Sequence, residues 1–136
     1  MGSEMCIRDS VIDLAEVVTH RIQDMGYDDA KIRRIADITK GGIAVIRGRS
    51  VPENTYFDGS RDLMFPIRIV VSREKYADAL EVASKIADKM PNADLSSENG
   101  SYRLTSSAVD SQPQEIDQMN GCHIFELNIN CQITTF

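Results

Sequence analysis

The chain has 136 residues, a length that fits one domain with a core large enough to fold without disulfides. Its composition is ordinary for a globular protein, and no apolar run reaches the roughly 20 residues needed to cross a bilayer. Fifteen Lys and Arg against 21 Asp and Glu give a net charge of −6. The basic residues are scattered along the sequence rather than gathered in a stripe, which disfavours stable DNA binding.

The first ten residues, MGSEMCIRDS, differ in character from the rest of the chain. MGS is typical of a recombinant start, and MCIRDS resembles a translated transposon-type sequencing adapter. We therefore expect residues 1–10 to be a non-native leader and residues 11–136 to form a single α+β domain. A native flexible arm is the alternative. In either case Ser10 with Asp13 is predicted to form a capping box for the next helix.

A helix followed by short strands is predicted in the first half. Gly26 stops the helix, and the segment 32–38 is predicted to be a strand. A Gly-Gly turn at 41–42 predicts a strand from Ile43 to Arg47, and SVPEN, residues 50–54, is predicted to be a loop. The helix has one apolar face, which we interpret as core, formed by Val11, Leu14, Val18, Ile22 and Met25.

Residues 56–62, YFDGSRD, concentrate charged side chains in mid-chain. The stretch resembles the start of a calcium-binding loop, but the further oxygen ligands of that pattern are missing. Arg61 lies between Asp58 and Asp62, which favours an internal ion pair. Asp58-Gly59 predicts a turn in which Gly59 takes positive φ. We predict a shaped turn between strands rather than a metal site.

A strand and a second helix follow. Apolar residues at 67, 69 and 71 share one strand face, and Pro66 predicts a strand start or a sheet edge because it lacks a ladder donor. A helix capped by Ser72 is predicted to run to about Lys89, with Pro91 as its stop. Its apolar face comprises Tyr76, Ala79, Leu80, Ala83, Ile86, Ala87 and Met90.

The C-terminal third is predicted to be mostly strand. A polar loop at 92–101 leads to a strand from Tyr102 to about Val109, and residues 110–121 are predicted to be a connection. From Phe125 to Thr135 apolar and polar residues alternate strictly, which predicts a strand with one buried and one wet face. Together the elements predict an α+β fold, with an antiparallel or mixed sheet of four to five strands and two main α-helices packed on it.

A search for catalytic or metal-binding patterns finds no convincing site. Phosphate-binding glycine motifs and nucleophile elbows are absent. His123 neighbours Cys122, but adjacent strand residues point to opposite faces and cannot chelate one ion together. His20 is interpreted as a rim histidine, and Cys131, on the apolar face of its strand, as a buried inert thiol. Cys122 and Cys131 lie too far apart along one strand to pair, so reduced thiols are expected.

The pattern Y-x-D-G-x-x-D at 56–62, with Phe65 beyond it and the closing ITTF at 133–136, resembles a small family from long-tailed phages of Gram-positive hosts. The family is that of phage minor capsid or tail terminator proteins. The resemblance implies a structural virion protein, with no catalytic residues and no cofactor. It also implies a ring of copies, usually a hexamer, at the head-proximal end of the tail, assembled in the host cytoplasm. The ring would stop tube polymerisation and contact the tail tube protein and a head-closure or neck protein, while DNA passes without stable binding and no membrane is involved.

Two groups of residues are candidate assembly or docking contacts. The first is the turn, and the second is Pro113 with an uncharged polar row on the last strand, which could face a lumen, a neighbouring copy or simply solvent. The candidates are Tyr56, Asp58, Gly59, Arg61, Asp62, Pro113, Asn128, Asn130 and Gln132. A head-closure protein of the same machinery is the main alternative, and a small ligand-binding regulatory domain is a further one.

Overall fold

A computed structural model describes residues 12–90, 93–98, 100 and 102–135. Residues 1–10, the expected leader, lie outside the described residues. Within that part of the chain no helix is long and apolar enough to span a membrane. The elements are α1 (Leu14–Asp24), β1 (Ala30–Ile32), a 3₁₀ helix (Ile35–Ile38), β2 (Gly42–Arg47), β3 (Val51–Thr55), β4 (Arg61–Arg73), α2 (Tyr76–Lys89), β5 (Tyr102–Met119) and β6 (Cys122–Thr135).

The strands form one mixed sheet in the order β1-β2-β4-β6-β5, and β3 pairs with the same edge of β4 as β2 does. The β1–β2 pair is parallel and the other pairs are antiparallel. The predicted α+β class with a mixed sheet and two main helices is therefore confirmed. The predicted four to five strands are too few, because the described residues form six.

Both helices pack on one face of the sheet, and the alternation predicted for the last strand explains why. Odd-numbered residues from Leu63 to Val71 of β4 and from Phe125 to Ile133 of β6 point to that face and are buried. Their even-numbered neighbours are mostly half-buried on the other face. The first helix faces the sheet through Leu14, Val18 and Ile22 as predicted, and Gly26 follows it with φ of 104°. Alternation along two paired central strands thus fixes which face the helices cover.

The predicted strand at 32–38 is wrong for most of its length. The strand stops at Ile32, and Ile35–Ile38 forms a 3₁₀ helix. Ile38 packs with Ala44, Val70 and Ile124 in a small cluster on the face away from the α-helices. Because a three-residue spacing matches one 3₁₀ turn, Ile35 and Ile38 lie on the same side of that helix.

Two predictions fail at the pairing of β2 and β3 with β4. SVPEN is not a loop, since Val51–Thr55 is an edge strand whose side chains are all exposed. Pro66 begins no strand and lies at no edge, but in the middle of β4. The backbone N–H of Gly48 donates to the Pro66 carbonyl at 2.8 Å, in the gap between β2 and β3. The N and C=O of one residue point to the same neighbour, so the proline nitrogen also faces this gap, where no ladder donor is needed.

The predicted connection at 110–121 is wrong as well, because β5 continues to Met119. The strand turns into β6 through Asn120 and Gly121, which have φ of 52° and 80° and form a tight two-residue hairpin turn. The pairing of β5 with β6 shifts register four times, once between Ser111 and Gln114. Pro113 lies at this bulge on an edge strand, where a missing N–H is tolerated.

Three predictions about helix ends and faces also change. Ser72 is buried within β4, so α2 begins at Tyr76 without a serine cap. Half of the Tyr76 side chain is exposed, as is over a third of Leu80, so the predicted apolar face is only partly covered. Asp13 makes no side-chain cap to α1. Its carboxylate instead accepts hydrogen bonds from Ser97 Oγ at 2.7 Å and the Glu98 N–H at 2.8 Å. Ser10 and Pro91 lie outside the described residues.

Candidate docking surface

The stretch from Tyr56 to Ser60 forms the predicted turn, between β3 and β4. The Gly59 N–H donates to the Tyr56 carbonyl at 3.0 Å, and Gly59 has the predicted positive φ, 88°. Asp58 Oδ1 accepts from both the backbone N–H of Ser60, at 3.0 Å, and its hydroxyl, at 2.6 Å. These bonds keep the pKa of Asp58 below its usual value, the Ser60 hydroxyl contributing most. Asp58 therefore acts locally, as a brace for the turn.

Asp62 joins the turn to the last strand. Its Oδ2 accepts from the Tyr56 hydroxyl at 2.6 Å, and its Oδ1 accepts from Thr134 Oγ1 at 2.7 Å. Asn54 Nδ2 approaches Oδ2 at 3.5 Å. The predicted ion pair with Arg61 is wrong, because both aspartates use these neutral donors instead. The turn is held by hydrogen bonds from neutral donors to two carboxylates, and not by ion pairs.

The Tyr56–Asp62 contact should depend on pH in a defined way. The Tyr56 hydroxyl, then Thr134, lowers the pKa of Asp62, and the same contact raises the pKa of Tyr56. Because the pKa of Asp62 is lower in the folded protein, the contact stabilises the fold above the unfolded pKa of about 4, and this stabilisation is lost as the pH falls through the folded pKa. Because the pKa of Tyr56 is higher in the folded protein, the contact also stabilises the fold below the unfolded pKa of about 10, and this stabilisation is lost as the pH rises through the folded pKa. We expect the contact to be intact between these limits.

An NMR titration of the Tyr56 ring tests this prediction. Asp62→Asn should remove the acid limb of the Tyr56 response and return the tyrosine titration towards about 10. Asp58→Asn, which does not touch Tyr56, is the matched control. Titration of Tyr56 in the Asp62→Asn variant at the wild-type pH would contradict the assigned contact.

Sequence reasoning missed the most exposed residue of the turn. Phe57 is fully exposed, and Tyr56 beside it is about half exposed. An apolar ring in water at the tip of a hydrogen-bonded turn is an accessible anchor for a protein partner. Its position before Asp-Gly, which forms the turn, is the signal that could have found it.

The uncharged polar row lies on the face of the sheet opposite the α-helices. We call this surface the open face and define it by Asp62, Arg68, Glu126, Asn128, Asn130, Gln132 and Thr134. Gln132 Oε1 accepts from Ser106 Oγ at 3.0 Å, and its Nε2 donates to Glu53 Oε1 at 3.4 Å, so it bridges β5 and β3. Asn128 Nδ2 donates to Glu126, which pairs with Arg68 at 2.9 Å. The three residues of the row are half-buried, and Asn128 and Gln132 are held by hydrogen bonds.

The structure brings some of the candidate contacts together and separates others. Asp62 faces Thr134 across the β4–β6 ladder, and Gln132 faces the next residue of β4 on that face, Met64. A cavity of about 270 Å³ lies here, lined by Glu53, Asn54, Asp62, Thr105, Gln132 and Ile133. Pro113 lies at the level of Asn128 and Glu126, about 24 Å from Thr134 along β6. The turn and Pro113 are thus opposite ends of the surface that the polar row connects.

The residues considered for chemistry are not assembled into a reactive site. Cys131 is buried, and burial raises the pKa of its thiol to about 11. His20 is exposed and hydrogen-bonds Glu98 through Nδ1 at 2.8 Å. His123 contacts Glu115 at 2.7 Å, on the face opposite Cys122. Among the described residues, no three His, Cys, Asp or Glu side chains gather in a way that could hold a metal ion.

The fold and this surface fit a protein that works through contacts, and comparison with known families agrees. Residues 20–135 match a family described as bacteriophage tail terminator protein. No curated protein matches the chain. The class is thus that of structural proteins of the phage virion, which associate with other tail or head proteins, and not of enzymes. The chain belongs to the bacteriophage tail terminator family, which confirms the resemblance read from the sequence.

Proposed function

We infer that copies of this protein form a ring, with six as the expected number, on the head-proximal end of the tail tube. The ring stops polymerisation of the tube protein and presents a docking surface to the head-closure or neck protein. One observation carries the docking role: a turn braced by Asp58 and Asp62 holds the apolar ring of Phe57 in solvent. Preorganisation of this kind lowers the entropic cost of binding.

The open face suits the wall of a channel through which DNA passes. Its polar row is uncharged, and two guanidiniums beside it each have a carboxylate near them. Arg68 pairs with Glu126, and Arg103, opposite Thr134 on β5, interacts electrostatically with Asp62. Cations offset in this way attract phosphates only weakly, and the net charge of −6 adds weak repulsion. With the open face inward, both α-helices lie on the outside of the ring.

Addition of the purified protein to polymerising tail tubes tests this function. We expect tubes to stop growing at a length set by the time of addition, with ring-shaped density at one end in negative-stain micrographs. Unchanged tube lengths would contradict tube termination. Binding to isolated heads but not to tube ends would instead favour the alternative, a head-closure protein of the same machinery.

A further inference from the structure

The two lateral edges of the sheet carry opposite charge. A segment rich in basic residues forms the edge that consists of β1, the 3₁₀ helix and the end of β2. Six of the 15 Lys and Arg residues fall between positions 31 and 49, with one acid, Asp37. The opposite edge is β5, which has three acids and one base between Tyr102 and Met119. The basic set is Lys31, Arg33, Arg34, Lys40, Arg47 and Arg49.

Each edge also exposes an isoleucine between its charges. Ile32 follows Lys31 on β1 and is 45% exposed, and Ile116 lies between Glu115 and Asp117 on β5 and is 39% exposed. Ile116 is the unpaired residue of a bulge, since Glu115 pairs with Phe125 and Asp117 with Ile124. A single exposed isoleucine needs no explanation. Two of them, one on each edge strand and flanked by charges of opposite sign, make the two edges complementary.

The two edge surfaces are offset along the strands by two to three residues. The cross-strand register runs in one row through Ala30, Ile43, Val71, Phe125 and Glu115. Ile32 lies two residues from this row, level with Leu127, whereas Ile116 lies within one residue of the row on its other side, so the two isoleucines differ in level by less than about 10 Å. Contact between the patches therefore shifts each copy along its strands relative to the next. A ring closes with such a shift when the strands are inclined to its axis, because closure requires no rise along the axis itself.

The charges at the centre of each edge are available to a partner. Lys31 and Asp117 are exposed, and neither takes part in the ion pairs found among the described residues. The Arg34 side chain is 84% exposed and reaches Asp37 only at 3.8 Å. Arg33, in contrast, is half-buried and donates to the carbonyls of Asp29 and Ile43. We therefore assign the contact to Lys31 and Arg34 rather than to every base of the set.

We propose that the β1 edge of one copy packs against the β5 edge of the next. Lys31 and Arg34 face Glu115 and Asp117, and the isoleucine of each edge meets the other. The proposal rests on the ring inferred above and identifies its interface. Opposite edges of one sheet make the contact heterologous, as a ring requires. A second copy fits the basic edge better than duplex DNA does, because this chain itself carries acidic and apolar groups at its opposite edge.

Charge reversal tests the interface. Variant A carries Lys31→Glu and Arg34→Glu, so both its edges are acidic. Variant B carries Glu115→Lys and Asp117→Lys, so both its edges are basic. Each alone should self-associate about 100-fold more weakly than the wild type in sedimentation equilibrium, because like charges would face each other. An equimolar mixture of A and B should associate again, since every contact in an alternating ring is then complementary.

Matched controls separate the interface from net charge and folding. Lys85→Glu with Lys89→Glu changes the net charge as variant A does, but on α2, and should associate like the wild type. Thermal unfolding of A and B must resemble that of the wild type. Variant B loses a contact of Glu115 with His123. Asp117→Lys alone therefore repeats the test with that contact kept.

A crosslink reports on the interface if free copies stay monomeric. In a Cys6→Ser background, Ile32→Cys with Ile116→Cys should give a ladder of covalent multimers when oxidised on tube ends, because disulfides need Cα atoms within about 7 Å. Ile32→Cys with Leu80→Cys, which uses α2 instead of β5, should give none.

Four results would contradict the proposed interface, and one of them would also contradict the terminator function. Association of A and B equal to the wild type, or tubes that are capped without crosslinks, would overturn this interface while the terminator function stands. Failure of the wild type to cap tubes would overturn both. Tight binding of duplex DNA that is lost in variant A, with self-association unchanged, would assign the basic edge to nucleic acid instead.

Discussion

Phe57→Ser is expected to weaken attachment of the protein to its tail or neck partner by about ten-fold or more, with almost no change in folding stability. The ring of Phe57 is fully exposed, so the folded chain loses no packing when it is removed. Burial of an aromatic side chain at a partner surface removes a large apolar area from water, and such anchors dominate the energy of many interfaces. The fall in affinity should therefore come from faster dissociation.

Tube-capping titrations and urea unfolding measure the two halves of this prediction. Leu80→Ser is the matched control, because it also removes an exposed apolar side chain, from α2 and not from the turn. It should cap tubes like the wild type. Equal capping by Phe57→Ser and the wild type would show that the turn presents no anchor, and would leave the open face or the sheet edges as the docking surface.

Phe125→Ala is expected to lower the free energy of unfolding by about 3–5 kcal/mol. Only 2% of Phe125 is exposed, and it lies on β6 opposite Val71 of β4. Its ring meets that of Tyr76 edge to face, with centroids 5.2 Å apart. The substitution leaves a cavity where α2 meets the two central strands, and backbone pairing prevents those strands from closing it. A domain is typically stable by only about 5–15 kcal/mol, so the variant is near the limit of folding.

Urea denaturation at several temperatures checks the size of this loss. Tyr76→Ala removes the edge-to-face partner from a side chain that is half exposed, and it should cost much less. Phe125→Leu keeps most of the apolar volume and should fall between the two. A loss below about 1 kcal/mol for Phe125→Ala would mean that the helix and strands collapse to fill the space.

Strands with one buried face could be predicted from the sequence, and exposed edge strands could not. The β6 strand alternates because it is central and one of its faces is covered by α2. In β3 every side chain is exposed, so no alternation records its pairing. The β5 strand does alternate locally, but each shift in register against β6 resets the period. The Asn120-Gly121 pair is a local signal for this hairpin, which the predicted connection at 110–121 does not include.

In the candidate site, contacts between residues close in sequence could be predicted, and contacts between distant residues could not. The hydrogen bonds of Asp58 and Gly59 join residues at most three positions apart, so the Asp-Gly pair is enough to predict the turn. The contact of Asp62 with Thr134 joins residues 72 positions apart, and only the β4–β6 register brings them together. The charge difference between the sheet edges likewise depends on strand order, because only strand order places the basic segment 31–49 and β5 at opposite edges. The net charge of the chain does not show this difference.

The irregular edge at β5 has a consequence for the chain before assembly. A straight, exposed strand of 18 residues would pair with almost any other strand edge, which is the route to aggregates. Four register shifts, Pro113 and the flanking carboxylates of Glu115 and Asp117 interrupt that row of free backbone groups. Free copies are therefore expected to resist pairing of their β5 edges, so that β5 remains accessible before assembly.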